Sequence, residues 1–375
     1  MQEGDFVRRI QSLSQRSASK KSFELDYVLI AILISLCSVG ILIIYSASGQ
    51  DPFFAKRQFF FMVIGFCLMC AMAQIPSRVW DRWAPFFYGI GILLLGVVLA
   101  FGVEANGAKR WLDIGFTRLQ PSELMKVVLP LMISSYISKR DIPPNFQTIF
   151  VSIILILVPV FMVINQPDLG TALLIFISGL IVLFLSGIGR AYIISGFILA
   201  LAAIPSLWLF VMRDYQKQRV LTMFNPEEDK LGAGWNIIQS TTAIGSGGWY
   251  GKGWMNGTQS QLNFLPESHT DFIIAVLAEE FGLAGVLILI CIYLILVGRC
   301  ISISMKSKSM FGRLLAASLG FTFLVFVLVN LAMVSGVLPV VGAPLPLIGY
   351  GGTAIVTLFA GFGILMSISK ESKIK

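Results

Sequence analysis

Asp271 opens an apolar run, and Glu279 and Glu280 lie inside that run. A carboxylate at such a boundary is placed to take a proton from a hydroxyl, whereas acids at membrane depth need partners of their own. On a continuous helix Glu279 stands about 12 Å deeper than Asp271 and is turned about 80° from it, toward the same polar cavity. Glu280 then faces the other way and needs a different partner. Glu123 and Lys126 form a second constellation, on one helix face at the polar start Gln120-Pro121-Ser122-Glu123. Asp168 precedes a further run, in Gln166-Pro167-Asp168-Leu169-Gly170-Thr171. Each acid also has a plainer role. Asp168 and Asp271 can cap helices, and Glu123 can complement a helix dipole within a local pair with Lys126. The residues alone leave both roles open.

His269 is the one histidine of the chain, so no zinc or transition-metal constellation can be built on it; a structural role is expected. The stretch Gly245-Ser246-Gly247-Gly248-Trp249-Tyr250-Gly251-Lys252-Gly253 lacks P-loop spacing and has no Ser or Thr after its lysine. Its backbone amides, with Lys252 beside them, suit a pyrophosphate. Cys67 and Cys70 spell a C-x-x-C inside an apolar run with no second pair nearby, which reads as packing.

The elements that must position these groups are membrane helices. The chain is 56% hydrophobic and 13% charged, and a soluble domain carries roughly a quarter charged residues. Its apolar residues come in runs long enough to span a bilayer, and the first is too long for a signal-peptide core. Ten spans are expected, at 27–48, 58–75, 83–103, 122–137, 146–164, 171–188, 191–212, 270–297, 314–334 and 351–369. With both termini inside, cytoplasmic segments carry most of the 28 Lys and Arg residues, as the positive-inside rule requires. The +8 net charge then follows from topology and the anionic inner leaflet, with no nucleic-acid partner. The expected organisation is a cytoplasmic tail (1–26), a ten-helix all-α membrane domain (27–369) and a second cytoplasmic tail (370–375). One long extracytoplasmic loop, 213–269, joins spans seven and eight. Its Trp235, Trp249, Tyr250 and Trp254 suggest an ordered element at the membrane interface.

The motifs, in order, resemble the SEDS proteins (shape, elongation, division and sporulation) over nearly the whole chain. They are Asn106 to Leu112 (NGAKRWL), Gln120 to Lys126 (QPSELMK), Gln166 to Thr171 (QPDLGT), Asn225-Pro226, Gly245 to Gln261 (GSGGWYGKGWMNGTQSQ), Phe264 to Gly282 (FLPESHTDFIIAVLAEEFG) and Pro344 to Gly352 (PLPLIGYGG). The GTQSQ and HTDFIIAVLAEE wording is nearer the RodA branch than the FtsW branch. Gly349 departs from a serine usual in that family, while Thr353 keeps a hydroxyl at the second position.

The resemblance implies a peptidoglycan glycosyltransferase of cell-wall elongation, acting on lipid II at the outer face of the bacterial inner membrane. It also implies a class B penicillin-binding protein as transpeptidase partner, among other elongation-complex proteins and membrane lipid. It places the family aspartate on Asp271 and makes it the general base of an inverting displacement. The leaving polyprenyl pyrophosphate needs cations; Arg110, Lys126, Arg219 and Lys252 are candidates, and a divalent cation (Mg or Mn) is left open. Glu123, Asp168 and Glu279 complete the expected substrate-binding set. A lipid-linked precursor flippase and an ion-coupled transporter are the rival classes.

The charge asymmetry makes a direct prediction. In a cysteine-free background, Thr258→Cys should react with an impermeant maleimide in intact spheroplasts and Ser307→Cys should not. The reverse labelling would overturn the orientation.

Overall fold

The computed structural model describes residues 25–105, 108–113, 115, 118–229, 232–261 and 268–373. The tail 1–24, Asn106-Gly107 and the Phe264–Glu267 part of the long motif lie outside them.

A helix stands at each of the ten expected spans: α1 (Tyr27–Ala47), α2 (Pro52–Ala73), α3 (Ser77–Phe101), α4 (Pro121–Ser138), α5 (Phe146–Asn165), α6 (Leu169–Leu185), α7 (Arg190–Ser206, prolonged by a π turn to Val211) and, after the long loop, three more. The loop is not structureless. It holds α8 (Asp214–Phe224), α9 (Ala233–Gly247) and a single turn, α10 (Thr258–Gln261). The last three spans are α11 (Ile273–Lys306), α12 (Met310–Val334) and α13 (Gly352–Lys373). Eight of the ten are long and apolar enough to cross a membrane. The two others, α4 and α6, have 18 and 17 residues. Both begin at the Gln-Pro motifs, where polar side chains replace the first apolar turn.

Local chemistry sets the helix starts. The carboxylate of Asp26 accepts from Leu29 N, Asp51 accepts from Phe53 N ahead of Pro52, Asn145 from Thr148 N, and Ser309 Oγ from Gly312 N. Each satisfies a backbone donor that the first turn leaves unpaired. Between α3 and α4 the chain adds a small antiparallel sheet to the all-α design: β1 (Val103–Ala105), β2 (Ala108–Asp113) and β3 (Arg118–Leu119). Its register sets Glu104 opposite Lys109 and Asp113 opposite Arg118, pairings of opposite charge that favour this alignment.

Buried side chains of α1, α2, α11, α12 and α13 form one core, and those of α3, α4, α5 and α6 a second. Helices α2 and α13 pack closely: a Cβ on Gly363 would fall 2.8 Å from Met69 O. Small residues allow such approach where no hydrophobic effect drives helices together in lipid. Helix α7 differs from the rest, since none of its residues is buried.

The expected eighth span departs from its sequence outline in two ways. Its helix begins at Ile273, so Asp271 lies in the preceding turn. It is also broken at Gly282, whose φ of 65° takes the chain out of the helical region. Helix α13 likewise runs on to Lys373, so residues 370–373 of the expected tail continue the last span.

One buried cluster ties three spans together at the end opposite Asp271. Asp26 accepts from Arg299 Nη2 (2.6 Å), Arg299 Nε (3.2 Å) and Ser369 Oγ (2.9 Å). Burial pushes the Asp26 carboxyl up, but the hydrogen bonds from Arg299, Leu29 and Ser369 outweigh it and hold the group below its usual 3.8. A depressed carboxyl stabilises the fold above its unfolded-state pKa, and that contribution is lost as pH falls through the lower folded value. Asp26→Asn should therefore lower the melting temperature in detergent at pH 7. The gap from wild type should persist down to about pH 4 and close below it. A pH-independent gap would contradict the assignment.

Candidate functional site

Asp271 sits half-buried in the turn between the long loop and α11, and the N-cap position of that helix is Phe272. Several elements fix the turn. Asn330 of α12, fully buried, donates from its amide to Asp271 O (2.9 Å) and to Ala343 O (2.8 Å). Tyr350 N donates to His269 O (2.9 Å), and Ser268 Oγ donates to Ala47 O at the end of α1 (3.1 Å). The His269 ring packs on Phe54 and Tyr350, at 4.7 and 6.0 Å between centroids, which is the structural role expected of it. The carboxylate approaches Gly342, where a Cβ would lie 3.6 Å from Asp271 Oδ2. At Gly349 a Cβ would fall 2.8 Å from Thr270 O. The family serine has no room at Gly349 in this packing.

The loop joining α12 to α13, which passes Asp271 at Gly342, goes on to line a pocket. Its residues 344–347, 349 and 351 form one wall, and α4, α12 and α13 form the others. Glu123 and Lys126 are the charged groups of that lining. They pair at 2.6 Å while both are buried, and the ammonium stands 5.0 Å from the centroid of the Phe326 ring. Thr322 Oγ1 is buried in the same wall with no hydrogen-bond partner. The remaining wall is apolar, with Leu319, Phe323, Leu345 and Phe362 among its residues. The pocket thus combines a buried ion pair with hydrocarbon walls, and Asp271 stands outside its lining, next to Gly342 of the same α12–α13 loop.

The other expected residues divide between two places. Asp168 caps α6 through Thr171 N (3.1 Å), as its plainer role requires, and also lies 3.7 Å from Arg110 Nη1. Arg110 Nη2 and Tyr215 Oη both donate to Pro167 O (2.5 and 2.9 Å). Arg219, one turn further along α8, donates to Val340 O (3.0 Å). Arg110, Asp168 and Arg219 therefore belong to one rim, formed by β2, the α5–α6 turn, α8 and the start of the α12–α13 loop. Lys252 and Glu279 meet each other instead, 2.8 Å apart. Glu279 is not in the lining of the pocket, contrary to the cavity-facing placement expected from a continuous helix. Glu280 finds its partner in Ser46 Oγ of α1. Among the described residues no cluster of three His, Cys, Asp or Glu side chains is gathered that could hold a metal ion.

Residues 26–374 match the family model of the FtsW, RodA and SpoVE cell cycle proteins. The chain belongs to the FtsW/RodA/SpoVE family. It is 50% identical over 359 residues to the peptidoglycan glycosyltransferase MrdB of Escherichia coli K12, covering 95% of this chain and 97% of that one. It is 38% identical to a probable peptidoglycan glycosyltransferase FtsW of Geobacter sulfurreducens, over 93% of this chain and 96% of the relative. Among solved structures it is similar to a chain from work on the structural coordination of polymerization and crosslinking by a peptidoglycan synthase complex. There the TM-score is 0.82 at 28% identity, covering 94% of this chain and 99% of the other. The rod shape determining protein RodA of Thermus thermophilus matches with a TM-score of 0.71 at 27% identity, covering 94% and 98%. The family member is an all-α, multi-pass protein of the inner membrane.

Two site residues are absent from the sequence reading. Asn330 and Gln58 are both fully buried, at 0% solvent exposure. Gln58 donates to Gly349 O (3.1 Å) and accepts from Gly351 N (3.4 Å). The available signal is a lone carboxamide in an apolar span, which membrane depth makes costly without a partner. Asn330→Leu should strand the carbonyls of Asp271 and Ala343 without a donor and destabilise the fold by about 1–3 kcal/mol. Thermal unfolding in detergent would read this as a clear drop in melting temperature, and an unchanged one would show the two bonds to be dispensable.

Proposed function

We infer that this chain polymerises lipid II into glycan strands and that Asp271 is the general base of the reaction. The chain is a peptidoglycan glycosyltransferase of cell-wall elongation. What supports the assignment of the base is the setting of Asp271: a carboxylate on a fixed turn, beside Gly342 of the loop whose later residues line a pocket that pairs charge with hydrocarbon. A lipid-linked sugar diphosphate has those two halves. Its polyprenyl tail suits apolar walls, and its pyrophosphate suits the cations of the rim and the pocket.

The chemistry then follows. The acceptor sugar's 4-hydroxyl oxygen attacks the donor's anomeric carbon as the bond from that carbon to the pyrophosphate oxygen breaks. The configuration inverts from α to β, and the hydroxyl proton passes to the Asp271 carboxylate. Negative charge develops on the departing polyprenyl pyrophosphate, and Lys126 and Arg110 are the cations assigned to stabilise it. Glu123 orients Lys126, and Asp168 orients Arg110. Arg219 holds α8 against the α12–α13 loop and closes the rim. In the cell both termini are cytoplasmic, with 1–26 and the end of α13 inside and 213–269 outside. The protein works in a synthase complex that polymerises and crosslinks, and a class B penicillin-binding protein supplies the crosslinking.

Asp271→Asn keeps the shape of the side chain and removes its basicity. The variant should insert, fold and retain the wild-type melting temperature, while glycan synthesis from purified lipid II falls by a factor of about 10² or more. Near-normal polymerisation by a well-folded variant would rule Asp271 out as the base.

A further inference from the structure

In the structure Lys252 and Glu279, placed by sequence among the substrate-binding groups, hold each other. The Glu279 side chain is wholly buried, and four donors of the 252–259 segment converge on its Oε1. They are Lys252 Nζ (2.8 Å), Thr258 N (2.8 Å), Thr258 Oγ1 (2.9 Å) and Gln259 N (3.2 Å), the last shared with Oε2 (3.2 Å).

The backbone repeats this junction on both sides of the helix break. Lys252 N and Gly253 N donate to the carbonyls of Glu279 and Glu280 (3.0 and 2.9 Å), and beyond the break Leu283 N and Ala284 N donate to Gly248 O and Trp249 O (2.9 and 3.1 Å). Gly282 and Gly251 both have positive φ, and a Cβ on Gly282 would lie 2.5 Å from Gly251 N. The glycine-rich loop therefore occupies the gap that the break opens. Trp254 Nε1 reaches Leu42 O on α1 (3.4 Å), which fixes the far side of the loop.

The segment 273–281 is about two helical turns, too short to hold a position unaided, and it starts two residues after Asp271. We propose that the Lys252–Glu279 pair is a positioning device for Asp271: it locks the glycine-rich loop onto this half-helix, and neither residue holds the departing pyrophosphate. The proposal rests on the reading of Asp271 as the base.

The test compares Lys252→Met, Glu279→Gln, the double variant and Lys252→Arg. Rates of glycan synthesis are measured against lipid II concentration, alongside hydrogen exchange of the 252–259 amides. Misplacement of the reacting groups by an ångström costs about 10²-fold, so each neutral single variant should lose about that factor in kcat with KM unmoved. The double variant should be no worse than the poorer single, and Lys252→Arg should recover much of the rate. Lys252 and Gly253 amides should exchange faster in Glu279→Gln while α12 and α13 keep their protection. A raised KM with intact kcat in Lys252→Met would overturn the proposal, and so would multiplying losses in the double variant. Unchanged exchange in Glu279→Gln would overturn it even if the wild-type chain made no glycan, whereas absent wild-type synthesis with altered exchange would count against the functional reading alone.

Discussion

Inside a bilayer, a backbone that leaves the helical path must find hydrogen-bond partners in the protein, because lipid offers none. Three segments of this chain leave it: the turn carrying Asp271, the loop from α12 to α13, and the break at Gly282. The buried amides of Gln58 and Asn330 supply donors for the first two, together with the Tyr293 hydroxyl, which donates to Pro346 O at 2.8 Å. The glycine-rich loop supplies them for the third. The site exists where these irregular segments meet, and its walls are the helices that carry the satisfying side chains.

The same constraint explains why charge can stand in the pocket. Glu123 and Lys126 are both buried, and their attraction offsets a desolvation that neither would survive alone. Their helix begins at Gln-Pro, and Gln120 reaches across to Asp168 (3.4 Å) at the start of the other short span. The two short, polar-started helices α4 and α6 are thus linked at their outer ends, and the rim cations attach to the same junction through Arg110.

Hydropathy and charge made the ten helices, their order and the candidate acids legible. Asp168 was legible as a helix cap, but its pairing with Arg110 was not, because Arg110 lies 58 residues earlier in a strand. Gln58 and Asn330 escaped because each occupies an ordinary helical position, and its partners are backbone groups of irregular segments, from 13 to nearly three hundred residues away. The break at Gly282 escaped for a similar reason. A glycine in an apolar run is compatible with a straight helix, and only the loop through Gly251, packed against Gly282, favours its positive φ. Glu279 was read as facing a cavity because its depth was legible and its partner, 27 residues upstream in a loop, was not.

Helix α7 has no residue buried against the bundle, although it is as long and apolar as a spanning helix needs to be. In water such a helix would have to dock. In lipid its surface is already among hydrocarbon, so sliding it sideways exchanges one set of methylene contacts for another and breaks no packed interface. Helix α8, which follows it, is by contrast pinned at Pro167 and Val340 by Tyr215 and Arg219. The bundle therefore ends on one flank without a buried residue, followed directly by a segment that two hydrogen bonds hold in place.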